Sequence, residues 1–155
     1  MARRRLLLAA LRALLVIAGA MPWLFALAGA RPAELVVTFH MLCHQLPERT
    51  LSLGGVPMLV CSRCAGLYAG VALGALLPLP KRLLPWGRRF LLVAIAAAIV
   101  DVVTQDAGLH PPFHPVRLAT GLLMGFCGSA FMCGAIREEV RVEKSTGEPP
   151  PCGSR

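Results

Sequence analysis

LLLAALRALLVIAGAMPWLFALAG, residues 6–29, carries one charge, Arg12, in an otherwise apolar run. A helix crosses a hydrocarbon core of about 30 Å with roughly 20 residues, so this stretch is long enough to span a bilayer. Three more stretches repeat the pattern: about 65–79, 90–104 with Asp101 near its end, and 116–136. The second and third are short and must borrow flanking residues or tilt little. Of the 155 residues, 56% are hydrophobic and 15% charged. A water-soluble domain of this size needs more polar surface than that. The sequence therefore predicts an all-α integral membrane protein, a four-transmembrane-helix bundle. A short extracytoplasmic helix and a β-hairpin-like loop fall between its first two membrane helices. Residues 1–136 form a single membrane domain, and the charged, proline-rich stretch 137–155 reads as a disordered cytoplasmic tail.

The net charge of +8 invites a nucleic-acid reading, which its distribution opposes. Arg3, Arg4, Arg5 and Arg12 precede or open the first run. Lys81, Arg82, Arg88 and Arg89 fall between the second and third runs, and Arg137, Arg141, Lys144 and Arg155 follow the fourth. In a four-helix layout these twelve share one side, leaving Arg31, Arg49, Arg63 and Arg117 on the other. Basic loops stay cytoplasmic. Both termini are thus expected inside, in a multi-pass protein of the cell (inner) membrane. The lipid bilayer is the expected partner, nucleic acid is not, and protein partners are not legible. Ala28-Gly29-Ala30 also resembles a signal-peptide cleavage site. The preceding run is longer than the roughly 7–15 apolar residues of such peptides, which favours an uncleaved first helix.

Between the first two runs, Pro32 closes the membrane segment and residues 33–46 read as an amphipathic helix ended by Pro47. Gly54-Gly55 between two β-prone stretches signals a tight hairpin, with Pro57 confining its second strand to an edge. Gly66, Gly70 and Gly74 in one run, and Gly121 and Gly125 in another, stand at the four-residue spacing that lets membrane helices approach closely.

The same loop carries the chemistry. His40, Cys43 and His44 are spaced to share one helix face. After sixteen intervening residues comes Cys61-Ser62-Arg63-Cys64 at the mouth of the second membrane run. Two ligand pairs folded together by a hairpin is the arrangement of zinc sites. Thiolates with imidazole suit zinc or copper, zinc being favoured here. The site residues read for a metal are His40, Cys43, His44, Cys61 and Cys64. Two alternatives stand beside this one. A C-x-x-C at a helix N-terminus has stabilised thiolates, and Arg63 pushes the same way, so Cys61 and Cys64 fit a membrane thiol-disulfide oxidoreductase with Cys43 as a third exchanging thiol. Alternatively, a static disulfide such as Cys43–Cys61 suits a non-catalytic assembly or transport subunit.

Other polar residues converge on the same face. Asp101, Thr104 and Gln105 share a face near the end of the third run, and Arg117 and Thr120 open the fourth. An ionisable residue in a membrane helix is costly unless paired or functional. Asp101 is expected to pair with Arg63 or Arg117, or to accept a hydrogen bond from a ligating histidine. His110 and His114 are accessory candidates. Cys127 and Cys133 read as small apolar residues, and Cys152 as a free thiol. Nucleotide-binding glycine loops and hydrolase nucleophile motifs are absent from the sequence.

The string Cys43-His44-Gln45-Leu46-Pro47-Glu48-Arg49-Thr50, then Pro57, then Cys61-Ser62-Arg63-Cys64-Ala65-Gly66-Leu67-Tyr68-Ala69-Gly70 resembles an uncharacterised prokaryotic family of small membrane proteins, domain of unknown function 2085. Asp101, Thr104, Gln105, Arg117, Thr120 and Gly121 resemble its second block, and the likeness covers about residues 36–126. It implies that Gln45, Arg49 and Arg63 belong with the cysteines as one unit. It implies no activity. His114 stands where that pattern often has asparagine.

Overall fold

The computed structural model describes residues 2–77, 82, 84–109, 111 and 113–146, with side chains described except at residues 2, 84, 85 and 138–146. His110 and residues 147–155 of the expected tail lie outside the described residues. Among the described residues the chain forms α1 (Ala2–Leu27), α2 (Ala33–His40), a 3-10 turn (Pro47–Arg49), β1 (Thr50–Leu53), β2 (Val56–Cys61), α3 (Ser62–Leu76), α4 (Leu84–Asp106) and α5 (His114–Thr146).

Two of these helices, over Arg3–Leu27 and His114–Arg137, are long and apolar enough to cross a membrane. α3 has 15 residues, which at 1.5 Å per residue reaches about 22 Å, short of a full span by itself. α4 has 23 residues but carries Arg88, Arg89, Asp101 and Asp106. Its outer side is nonetheless apolar: Val93 is 62% exposed and Val100 61%, as Leu14 and Ile17 of α1 are 63% and 64%. Contiguous exposed apolar faces of this kind mark contact with lipid or another apolar surface.

The helices alternate in direction. Gly66 of α3 abuts the backbone at Leu118 and Leu122, Gly70 meets Leu122 and Phe126, and Gly74 meets Phe126 and Ala130. Both numbers rise together, so α3 and α5 run parallel. α1 runs against α3: Trp23 Nε1 donates to the Ala65 carbonyl at 3.0 Å near one end, and Arg12 Nε donates to the Ala75 carbonyl at 2.8 Å near the other. α4 runs against α5, since Gln105 near its C-terminus meets Arg117 near the N-terminus of α5. The C-termini of α1 and α4 and the N-termini of α3 and α5 therefore share one end of the bundle. A Cβ on Gly66, Gly70, Gly121 or Gly125 would overlap backbone of the facing helix, which is why the spacing of small residues sets this interface.

Two expectations change here. α2 ends at His40 rather than near Gln45. The amides of Leu42 and Cys43 both turn back to the Phe39 carbonyl, at 3.1 and 2.8 Å, and Gln45 takes a positive φ of 51°. His40, Cys43 and His44 therefore do not project from one helix face. At the other terminus, α5 continues as helix to Thr146, ten residues into the stretch read as a disordered tail.

The hairpin forms as expected. β1 and β2 pair antiparallel with Leu53 opposite Val56, and Gly54 and Gly55 have φ of 57° and 80°. Two positive φ angles at the corner are what a two-residue hairpin turn of matching twist requires. A register shift between Thr50 and Ser52 brings Cys61 opposite Thr50. Met58, Leu59 and Val60 are buried against Ala26, Phe39 and Ala65, so the hairpin is packed down onto the ends of α1 and α3.

Candidate metal centre

Three elements each deliver one thiol. Cys43 comes from the turn after α2, Cys61 from the last position of β2, and Cys64 from the first turn of α3. Their sulfur atoms all lie within 4.8 Å of one another. Cys43 is buried, the other two are partly buried, and all three are free thiols. The Cys61 amide donates to Cys43 Sγ at 3.2 Å, a bond that fixes the direction of that sulfur. Gln45 Nε2 donates to the Val36 carbonyl at 3.0 Å, holding the turn that carries Cys43 against α2. The Phe39 and Tyr68 rings meet edge to face with centroids 5.6 Å apart, and with Trp23 they build the apolar wall beside the thiols.

Packing three thiols together splits their acidities. Cys61 is held well below the ordinary thiol range, chiefly because the Cys43 thiol hydrogen-bonds to its sulfur and the Cys64 thiol does the same. Burial opposes this, and the backbone amides of Cys64 and Arg63 at the start of α3 support it. Cys64 is pushed up, first by its bond with Cys43 and then by Cys61, with burial adding to both. Cys61 thus favours its thiolate, and Cys64 gives up its proton only when something positive replaces it. A metal ion does that. Zinc–sulfur bonds of about 2.3 Å at tetrahedral angles imply sulfur atoms about 3.8 Å apart, a separation that the observed cluster already allows.

The histidines do not join. His40 and His44 are exposed, and the group whose ligand atoms converge is Cys43, Cys61 and Cys64 alone among the described residues. Three sulfurs leave one position of a tetrahedron to another ligand.

The supporting residues form a separate polar belt, pairing with one another rather than with the thiols. Arg63 hydrogen-bonds Asp101 in an ion pair whose side chains are 17% and 10% exposed. Its guanidinium therefore serves α4 rather than the thiols, and Asp101 is committed to it rather than to a histidine. Arg117 donates to Gln105 Oε1. Arg49 pairs with Asp106 at 3.5 Å, tying the 3-10 turn to the end of α4. The Thr104 hydroxyl donates to the Val100 carbonyl at 2.8 Å, and that of Thr120 to the Val116 carbonyl at 3.0 Å. His114 opens α5 with Nδ1 buried. Reading by motif missed Trp23 and Phe39, because aromatic residues in apolar runs give no local sign of what they pack against.

Residues 43–131 match the family described as a predicted membrane protein, domain of unknown function 2085. An uncharacterized protein of Methanocaldococcus jannaschii is 36% identical over 97 residues, which are 59% of this chain and 62% of that one. The chain thus spans less than two thirds of that relative's length. A second uncharacterized protein, of Methanothermobacter thermautotrophicus, is 34% identical over 90 residues, 56% of this chain and 80% of its own. No solved structure matches the chain. The matched segment begins at Cys43 and contains all three thiols, the hairpin and the polar belt.

Proposed function

The chain belongs to the family of predicted membrane proteins called domain of unknown function 2085, and from that premise we propose that it is a four-span membrane protein that binds a metal ion, preferably zinc, through Cys43, Cys61 and Cys64. The single observation that carries this is the convergence of three sulfur atoms, from three elements, within 4.8 Å. Soft thiolates select zinc or copper over magnesium or calcium. Three protein ligands with a fourth position open is the pattern of zinc sites that exchange a ligand rather than only hold the fold. In this reading α1, α3, α4 and α5 all cross the bilayer. The twelve-to-four division of basic residues supports placing both termini in the cytoplasm and the thiols at the extracytoplasmic face.

Metal analysis of the full-length protein purified anaerobically in detergent tests the proposal. The expected result is one metal ion per chain, with three more thiols open to alkylation after chelation than before it. Metal-free protein whose thiols are oxidised as isolated overturns it. A second reading, thiol–disulfide exchange, is favoured by the lowered pKa of Cys61 beside two further thiols. It requires a disulfide between two of the three that forms and reopens reversibly with a dithiol reductant, in protein carrying no metal.

A further inference from the structure

At the shared end of the helices three guanidiniums meet two carboxylates. Asp106 serves Arg49 and Asp101 serves Arg63. Arg117 is 3% exposed and donates to the neutral amide oxygen of Gln105. Among the described residues no carboxylate lies within ion-pair distance of it. A buried cation with a neutral partner carries its desolvation penalty without the Coulombic return that offsets it.

Around this cation several buried polar atoms lack partners. Arg117 Nε, Gln105 Nε2, Ser62 Oγ, Arg63 Nε and His114 Nδ1 are all buried with no hydrogen-bond partner, although such groups are nearly always satisfied in folded proteins. Ser62 is fully buried and Gln105 is 9% exposed. These residues are neighbours. Gln105 lies one turn beyond Asp101 on α4, and Gly121, one turn beyond Arg117, abuts the Arg63 carbonyl. The parallel register of α3 and α5, carried one turn back from Gly66 and Leu118, sets Ser62 level with His114. Both helices begin here, and their N-terminal ends add partial positive charge.

We propose that this cluster is a binding site for a phosphate-type oxyanion, with Arg117, Gln105 and Ser62 as its direct donors. An oxyanion accepts several hydrogen bonds at once and neutralises the extra guanidinium, meeting both deficits together. The site shares no donor with the three thiols and does not depend on a metal being bound there. Free phosphate and the phosphate of a lipid headgroup offer the same chemistry.

Full-length protein, depleted of lipid and kept in phosphate-free detergent with a chelator, is titrated with inorganic phosphate in one arm. Mixed micelles containing phosphatidylglycerol serve in the other, both at constant ionic strength, with the thermal midpoint read by tryptophan fluorescence. A saturable rise in midpoint in at least one arm is expected, and the responding arm identifies the source. Arg117→Gln weakens the response at least tenfold. Gln105→Glu supplies the missing carboxylate, so it raises the midpoint without anion and abolishes the response. A flat wild-type titration in both arms, or a Gln105→Glu variant that responds with wild-type affinity, overturns the proposal.

Discussion

Cys43 is buried while its neighbour His44 is exposed, because α2 stops at His40 and the chain turns Cys43 back under Phe39. Substituting Cys43 by serine removes one of three ligands, and zinc affinity is expected to fall by at least 100-fold in competition titrations with a chromogenic chelator. His44→Ala is expected to leave it within twofold, since no ligand atom of His44 reaches the thiols. Protons compete with metal for thiolates. Because Cys61 already favours its thiolate while Cys64 is pushed up, binding displaces the Cys64 proton. Metal affinity should therefore rise with pH across and above the neutral range. An independent residue-scale test is Asp101→Asn, which strands Arg63 in a site where both side chains are largely buried. Breaking such a pair costs about 3 kcal/mol, measurable as a lower midpoint in detergent unfolding. An unchanged midpoint would show that Arg63 finds another partner.

Helix α3 is short and rich in glycine because it is wedged between α1 and α5. Gly66 and Gly70 sit where a side chain would strike the α5 backbone, whereas a Cβ on Gly128 of α5 meets nothing within 4 Å. Gly70→Val is expected to separate α3 from α5 and destabilise the protein by about 2–3 kcal/mol, as overpacking does. Gly128→Ala should be neutral or stabilise by up to about 1 kcal/mol, since alanine loses less backbone entropy in a helix. Equal effects from the two substitutions would argue against the observed register. Movement of α3 also displaces Cys64 and Arg63 together, so Gly70→Val should weaken metal retention although it lies more than a helical turn beyond Cys64.

For the whole molecule, the alternation of helix directions gathers one end of α1, α3, α4 and α5 beneath the hairpin. If all four helices span the membrane, a reporter fused after α5 is active only as a cytoplasmic fusion, and a cysteine placed at residue 108 reacts with a membrane-impermeant maleimide from outside. Labelling at that position only after permeabilisation would reverse the orientation. The apolar runs, the charge asymmetry, the Gly-Gly corner and the C-x-x-C were all legible in the sequence, because each is a local consequence of chain chemistry: hydrocarbon length, backbone freedom at glycine, sulfur spacing. The sequence also brought Asp101, Gln105 and Arg117 to one end, since periodicity and topology settle which helix ends meet. Only the tertiary structure decided that three thiols converge without the histidines, that Arg63 rather than Arg117 takes Asp101, and that Arg117 is left with an amide. Those outcomes depend on where α2 ends and on the register between α3, α4 and α5, and both are set by contacts between residues far apart in the chain.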